Sequence, residues 1–193
     1  MTFHPDRPPR RSIRLQEYDY ANAGAYFITI CTHQRESLFG EIADGGVILT
    51  QIGAIVDECW CATPDHFPSA ELDAYSVMPN HLHGIVIITQ HAANVGARHA
   101  VPLQSRPEST PAQAFGKPIS GSLPTIVRSF KSAAARLVNI ARDTPSAPLW
   151  QRNYYEHIIR NENDLNRIRA YIENNPSTWE TDAENPNVSG KKP

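Results

Sequence analysis

The first regular pattern in the chain is Ala25-Tyr-Phe-Ile-Thr-Ile-Cys-Thr32, a run of β-branched and aromatic residues that predicts a strand. Asp44-Gly-Gly46 is a turn signal between Leu38-Phe-Gly-Glu-Ile42 and Val47-Ile-Leu-Thr50. Ile52, Ile55, Val56, Cys59 and Trp60 then recur at helical spacing, with Thr50 placed to cap the helix and Pro64 beyond its end. Glu71–Met78 and His81–Thr89 read as two strands joined through Pro79-Asn80, a turn so short that they must pair antiparallel. Residues 90–124 hold five prolines, one aromatic and no sustained period, which predicts a flexible insertion at about 90–122. A helix follows from about Leu123 to Ala141, its apolar stripe formed by Ile126, Phe130, Ala133, Ala134, Leu137 and Val138. The stretch from Trp150 to Ile159 reads as a loop entering a short strand. A last helix, about Asn163 to Asn174, turns Leu165, Ile168 and Ile172 inward and is ended by Pro176. This order of elements, with no internal repeat, predicts an α+β fold around an antiparallel sheet.

Length and composition narrow the picture. The 193 residues suit one domain, set here at 17–179, with an arm at 1–16 and a tail at 180–193. They are too few for a (β/α)₈ barrel, which takes about 250. No apolar run approaches the roughly 18–20 residues of a membrane helix, and the first ten residues lack the apolar centre of a secretory signal, so neither a membrane partner nor export is expected. Cys31, Cys59 and Cys61 are an odd set without zinc spacing and read as reduced thiols in a cytoplasmic protein.

The net charge of −2 argues by itself against a nucleic-acid partner. Its distribution changes that. Residues 1–16 carry +3, 17–124 carry −7, 125–172 carry +4 and 173–193 carry −2. Positive charge therefore gathers on the arm and on one late segment, which is either a solvated arginine-rich helix or a phosphate-binding surface.

Two groups of residues could carry chemistry. His81 and His83 stand at i and i+2 on a strand, so both imidazoles project to one face and could grip a divalent cation; a pair of half-exposed strand histidines is the structural alternative. Arg167, Tyr171 and Asn175 follow at i, i+4 and i+8 on the last helix. Tyr171 could act as a nucleophile or sit at the edge of the core stripe. Asn175 could offer an amide oxygen to Mg²⁺ or Mn²⁺, or serve as a C-cap before Pro176.

Taken together, these stretches resemble a known family. Val77-Met-Pro-Asn-His-Leu-His-Gly-Ile-Val86 resembles the His-hydrophobe-His (HUH) strand of the single-tyrosine transposases. Trp150-Gln-Arg-Asn-Tyr-Tyr-Glu-His-Ile-Ile-Arg-Asn161, followed by Tyr171-Ile-Glu-Asn-Asn-Pro176, resembles the REP-associated tyrosine transposase branch, as do the Tyr26-Phe-Ile-Thr-Ile strand and the Phe130-Lys131 helix. The likeness covers roughly residues 24–89 and 122–179. It implies a ferredoxin-like α+β domain in which His81, His83 and Asn175 hold the metal and Tyr171 is the nucleophile. The implied activity is metal-dependent cleavage and rejoining of single-stranded DNA at hairpins of short imperfect palindromes, through a 5′-phosphotyrosine intermediate.

On that reading the phosphate-tracking residues are Arg128, Lys131, Arg136, Arg152 and Arg167, with the arm residues Arg7, Arg10, Arg11 and Arg14. Trp150, Tyr154 and Tyr155 would stack on unpaired bases. Such a protein would work at the nucleoid. Relatives that share the tyrosine helix between subunits leave monomer and homodimer both open. The rivals are a DNA- or RNA-binding regulator of the same fold with a dispensable nuclease, and a small-molecule metallohydrolase, for which the chain is short.

Overall fold

Alternate residues of a strand point to opposite faces of a sheet, so strands that are apolar throughout need cover on both sides. The computed structural model, which describes residues 18–89 and 119–188, shows that arrangement. Among the described residues six strands form: β1 (Gly24–Cys31), β2 (Gly40–Ala43), β3 (Gly46–Leu49), β4 (Ala70–Met78), β5 (His81–Ile88) and β6 (Tyr155–Ile159). Four α-helices accompany them: α1 (Gln51–Cys61), the one-turn α2 (Thr63–His66), α3 (Leu123–Ala141) and α4 (Glu162–Asn174). The predicted arm, most of the insertion and the last five residues of the tail lie outside the described residues.

The main sheet runs β4-β5-β1-β6, antiparallel throughout, and β2-β3 is a separate small hairpin. With that hairpin and α2 set aside, the chain order is two β-α-β halves, and the interleaved strand order is ferredoxin-like, as expected. The β2-β3 turn has positive φ at Asp44 (52°) and Gly45 (73°), the pair that matches the twist of a two-residue hairpin.

The two faces carry different cores. Tyr26, Ile28 and Ile30 of β1 and Leu82, Val86 and Ile88 of β5 point to the face covered by α1 and α3, where they meet Val56, Trp60, Ile126, Phe130, Ala134 and Val138. Ala25, Phe27, Ile85 and Ile87 point the other way, into a smaller core closed by Leu165, Ile168 and Ile172 of α4. Gly84 sits on the first face beneath Trp60, and a Cβ there would lie 2.5 Å from the indole ring. Local signals agree with these elements. The Thr50 hydroxyl accepts from the Gly53 amide at the start of α1, and the Asn161 side chain accepts from the Asp164 amide at the start of α4. On its outer side α4 is tied to β4 by a two-bond ion pair, Arg169 donating to Asp73 at 2.8 and 2.6 Å.

Candidate active site

Within the β1 and β5 strands, Thr29 and His83 share the parity of Phe27 and Ile85, so the apolar α4 face turns polar at one end. His81 and His83 are pairing partners of Cys31 and Thr29 and stand at that end, next to the Pro79-Asn80 turn. They are 0% and 2% exposed, so the pair is buried rather than half-exposed.

Their protonation can be read from their neighbours. Asn80 Nδ2 donates to the Arg35 and Glu184 carbonyls, which leaves Asn80 Oδ1 to accept from His81 Nδ1 at 2.8 Å. The hydrogen of His81 is therefore on Nδ1, and its Nε2 lone pair points at His83 Nε2, 2.8 Å away. His83 Nδ1 meets the Thr29 hydroxyl at 2.8 Å, a group that can donate or accept and so suits either tautomer. Burial pushes the His81 pKa down to about 4, against a smaller opposing pull from the Asp182 carboxylate. Burial, with His81 alongside, likewise holds His83 well below its ordinary value. Both imidazoles are neutral near pH 7, the form that ligates metals.

Three further groups converge on this pair. The Tyr171 hydroxyl lies 3.1 Å from His83 Nε2, its ring packing edge-on to Phe27. Burial, then the Asp182 and Glu184 carboxylates, push the phenol up to about 12. Asn175 is 1% exposed, and its Nδ2 donates to Asp182 Oδ2. Its Oδ1 is buried and has no hydrogen-bond partner, although the side chain is placed to bond a charged His81. Neutral His81, with its hydrogen on Nδ1, has none on Nε2 to give the amide oxygen, which accounts for both facts. Asp182 completes the cluster: its carboxylate and the two imidazoles present ligand atoms within 4.8 Å of one another. An orphaned amide oxygen beside two neutral imidazoles and a carboxylate is a donor set that fits a divalent cation.

Sequence reasoning misses Asp182, because residues 180–193 carry no period and read as a tail. In the structure Asp182 and Asn185 are buried. The segment winds through a 3₁₀ turn (Pro176–Thr181), and Glu184 then pairs with Arg35 at 2.9 Å and accepts from the Cys31 thiol at 3.3 Å. The Glu184 carbonyl accepting from Asn80 and the Trp179 ring 5.8 Å from that of His81 bring it back to the histidine strand, and no sequence signal announces those contacts.

The cavity in front of Tyr171 is about 650 Å³ and is lined by Phe27, Tyr155, His157, Arg167, Asp182 and Glu184 among others. Tyr155 and Arg167 are exposed at its rim; Arg167 is paired with Asp164, which also bonds His157 at 2.8 Å. Tyr154, Gln151 and Asn153 contribute to the same wall.

Two expected groups do not join it. Trp150 is 8% exposed, packs on Phe39 and Phe130, and donates its indole N–H to the Lys131 carbonyl, so its ring is a core element rather than a stacking platform. Lys131 is half-buried, with Nζ donating to the Gln151 and Arg152 carbonyls, and burial lowers its pKa; it staples the loop before β6. Arg128 and Arg136 are exposed on α3, and α3 covers the sheet face opposite α4, so they stand away from Tyr171 rather than beside it. The arm arginines lie outside the described residues. Among the described residues no helix is long and apolar enough to cross a membrane.

Comparison with known proteins adds to this geometry. No family model matches the chain. An uncharacterized protein of Haemophilus influenzae is 42% identical over 173 residues, spanning 90% of this chain and 91% of that one. Among solved structures, the REP-associated tyrosine transposase bound to a REP hairpin is similar over 88% of this chain and 74% of that chain, with a TM-score of 0.54 at 18% identity. The chain belongs to one family with the Haemophilus influenzae protein, and its α+β fold is that of the REP-associated tyrosine transposase.

Proposed function

We propose that this chain is a metal-dependent single-stranded DNA endonuclease and strand transferase that cleaves at DNA hairpins through a covalent 5′-phosphotyrosine. One observation carries the reading: Tyr171 reaches the histidine pair of its own chain, its hydroxyl 3.1 Å from His83 across 88 residues of sequence. Support also comes from the similar solved structure, in which a transposase of this fold is bound to a REP hairpin.

His81, His83 and Asn175 would hold Mg²⁺ or Mn²⁺. The cation would supply positive charge against the scissile phosphate oxygens and against the Tyr171 oxygen. The rest falls to the chain. Tyr171 is 43% exposed, so its hydroxyl is open to the cavity while Phe27 and His83 fix its ring. Its oxygen attacks phosphorus in line, the P–O3′ bond breaks, and the departing O3′ takes up a proton while the phenol proton passes to solvent or a neighbouring base. The fragment that carries the 5′-phosphate stays on Tyr171, and the other fragment ends in a free 3′-hydroxyl. Because the phosphodiester is exchanged rather than hydrolysed, that hydroxyl can reverse the step and rejoin strands. Arg167, one helical turn before Tyr171, and Arg152 would meet the DNA backbone, while Tyr155 and Tyr154 would receive unpaired bases. Arg128 and Arg136 could contact only DNA reaching the opposite face.

The test is incubation of the protein with labelled single-stranded hairpins drawn from the flanks of its own gene, with Mg²⁺ or Mn²⁺. A covalent adduct is expected on a denaturing gel, and none with Tyr171→Phe. An adduct that survives Tyr171→Phe overturns the nucleophile, and tight hairpin binding without any adduct selects the regulatory module instead.

A further inference from the structure

The proposed cation site has a charge problem. Two imidazoles and an amide are all neutral, and they lie at 0–2% exposure, where an unneutralised dication is costly. Hard divalent cations are in general held by at least one carboxylate oxygen. The structure brings one such group to the site. Asp182 is 8% exposed and lies with the two imidazoles in a cluster whose ligand atoms are all within 4.8 Å. We propose that Asp182 is the anionic ligand of this cation site, a fourth member that joins His81, His83 and Asn175.

Asp182 is held for that role by its own segment. One oxygen accepts from Asn175 Nδ2 and the other accepts from the Glu184 amide at 2.6 Å. Each carboxylate oxygen has a second lone pair, so both bonds leave acceptor capacity for a cation. The bond from Asn175 also decides which end of that amide is turned away from Asp182. The nitrogen is spent on the carboxylate, and the oxygen is left as the buried acceptor near His81. Glu184 in turn is fastened by Arg35 and by Asn80, the residue that orients His81. One hydrogen-bonded unit therefore sets the tautomer of His81, the orientation of Asn175 and the position of Asp182.

The inference rests on the cation site of the proposed function, and the experiment separates the two. Mn²⁺ is titrated into the full chain without DNA, with free Mn²⁺ read by its electron paramagnetic resonance signal. Asp182→Asn should weaken binding by more than the roughly 10–100-fold that loss of a group behind the ligands costs, and His83→Ala should abolish it. Wild-type affinity in Asp182→Asn, with binding lost in His83→Ala, overturns the role of Asp182 and leaves the histidine site standing. Wild-type affinity in His83→Ala overturns the site itself. A second measurement needs no variant. Protein made by cell-free synthesis with [4-¹³C]aspartate, loaded with Mn²⁺, should show a ¹³C electron–nuclear coupling of ligand strength. Absence of that coupling overturns the proposal even if Asp182→Asn does not fold.

Discussion

The two faces of the central sheet are built from the same strands and do different work. The face under α1 and α3 is aromatic and aliphatic, with Trp60 packed edge to face on Phe130, and Phe130 and Phe39 tilted against Trp150, in one core with Tyr26, Ile28 and Leu82. The face under α4 has a smaller core and, at one end, exchanges apolar residues for Thr29, His83, His81, Asn175 and Asp182. Two crossover helices close the first face. A single helix closes the second and leaves a cavity at the polar end. Stability is thus concentrated on one side of β1 and β5 and chemistry on the other, and a one-residue step along either strand moves from one to the other.

That division can be tested by breaking each side in turn. The largest effect is expected at Trp60, fully buried in the first face. Trp60→Ala should cost about 3–5 kcal/mol in urea unfolding, whereas Tyr171→Phe on the second face should leave the unfolding midpoint nearly unchanged. Equal losses would mean that the faces are not energetically distinct. A smaller cost, about 1–3 kcal/mol, is expected for Gly84→Ala, because the new Cβ meets the Trp60 ring at 2.5 Å. A melting temperature equal to wild type would show that the indole moves aside freely.

The smallest effect concerns how α4 is held. Arg169 lowers the pKa of Asp73 below its ordinary 3.8, so the ion pair stabilises the fold fully above that value and its contribution is lost as pH falls through the depressed one. With Arg169 one-third exposed, the pair contributes about 1 kcal/mol. Unfolding midpoints measured from pH 6 down to pH 2.5 should therefore drop more steeply below pH 3.8 in wild type than in Asp73→Asn. Parallel curves would remove this anchor from the account of how Tyr171 is positioned.

Much of this was legible in the chain. The repeated i, i+4 spacing of Ile126, Phe130, Ala134 and Val138 marks the buried side of α3, and all four are buried there. Thr50 caps α1, and Leu165, Ile168 and Ile172 face inward from α4. The His-x-His alternation places both imidazoles on one face of β5 because strand geometry allows nothing else. Three readings fared differently, for one common reason. Trp150 sits in the net-basic segment 125–172, yet its indole finds a partner in the Lys131 carbonyl and its ring fills the first core. Arg128 and Arg136 are near Tyr171 in chain order and across the sheet from it in space. Asp182 follows the last periodic element and returns to the site through Asn80 and Arg35.

The amino-acid sequence alone determined the elements, their order, the shared face of His81 and His83 and the shared face of Arg167 and Tyr171, because each depends on bond geometry and side-chain period within a few residues. Tertiary structure alone decided which helix covers which face, that Tyr171 meets the histidines of its own chain, and that Asp182 joins them. Those outcomes turn on contacts between residues up to about 150 positions apart, such as Cys31 with Glu184 at a separation of 153. Such contacts are selected by the burial and polar satisfaction of the whole fold, and no local pattern encodes them.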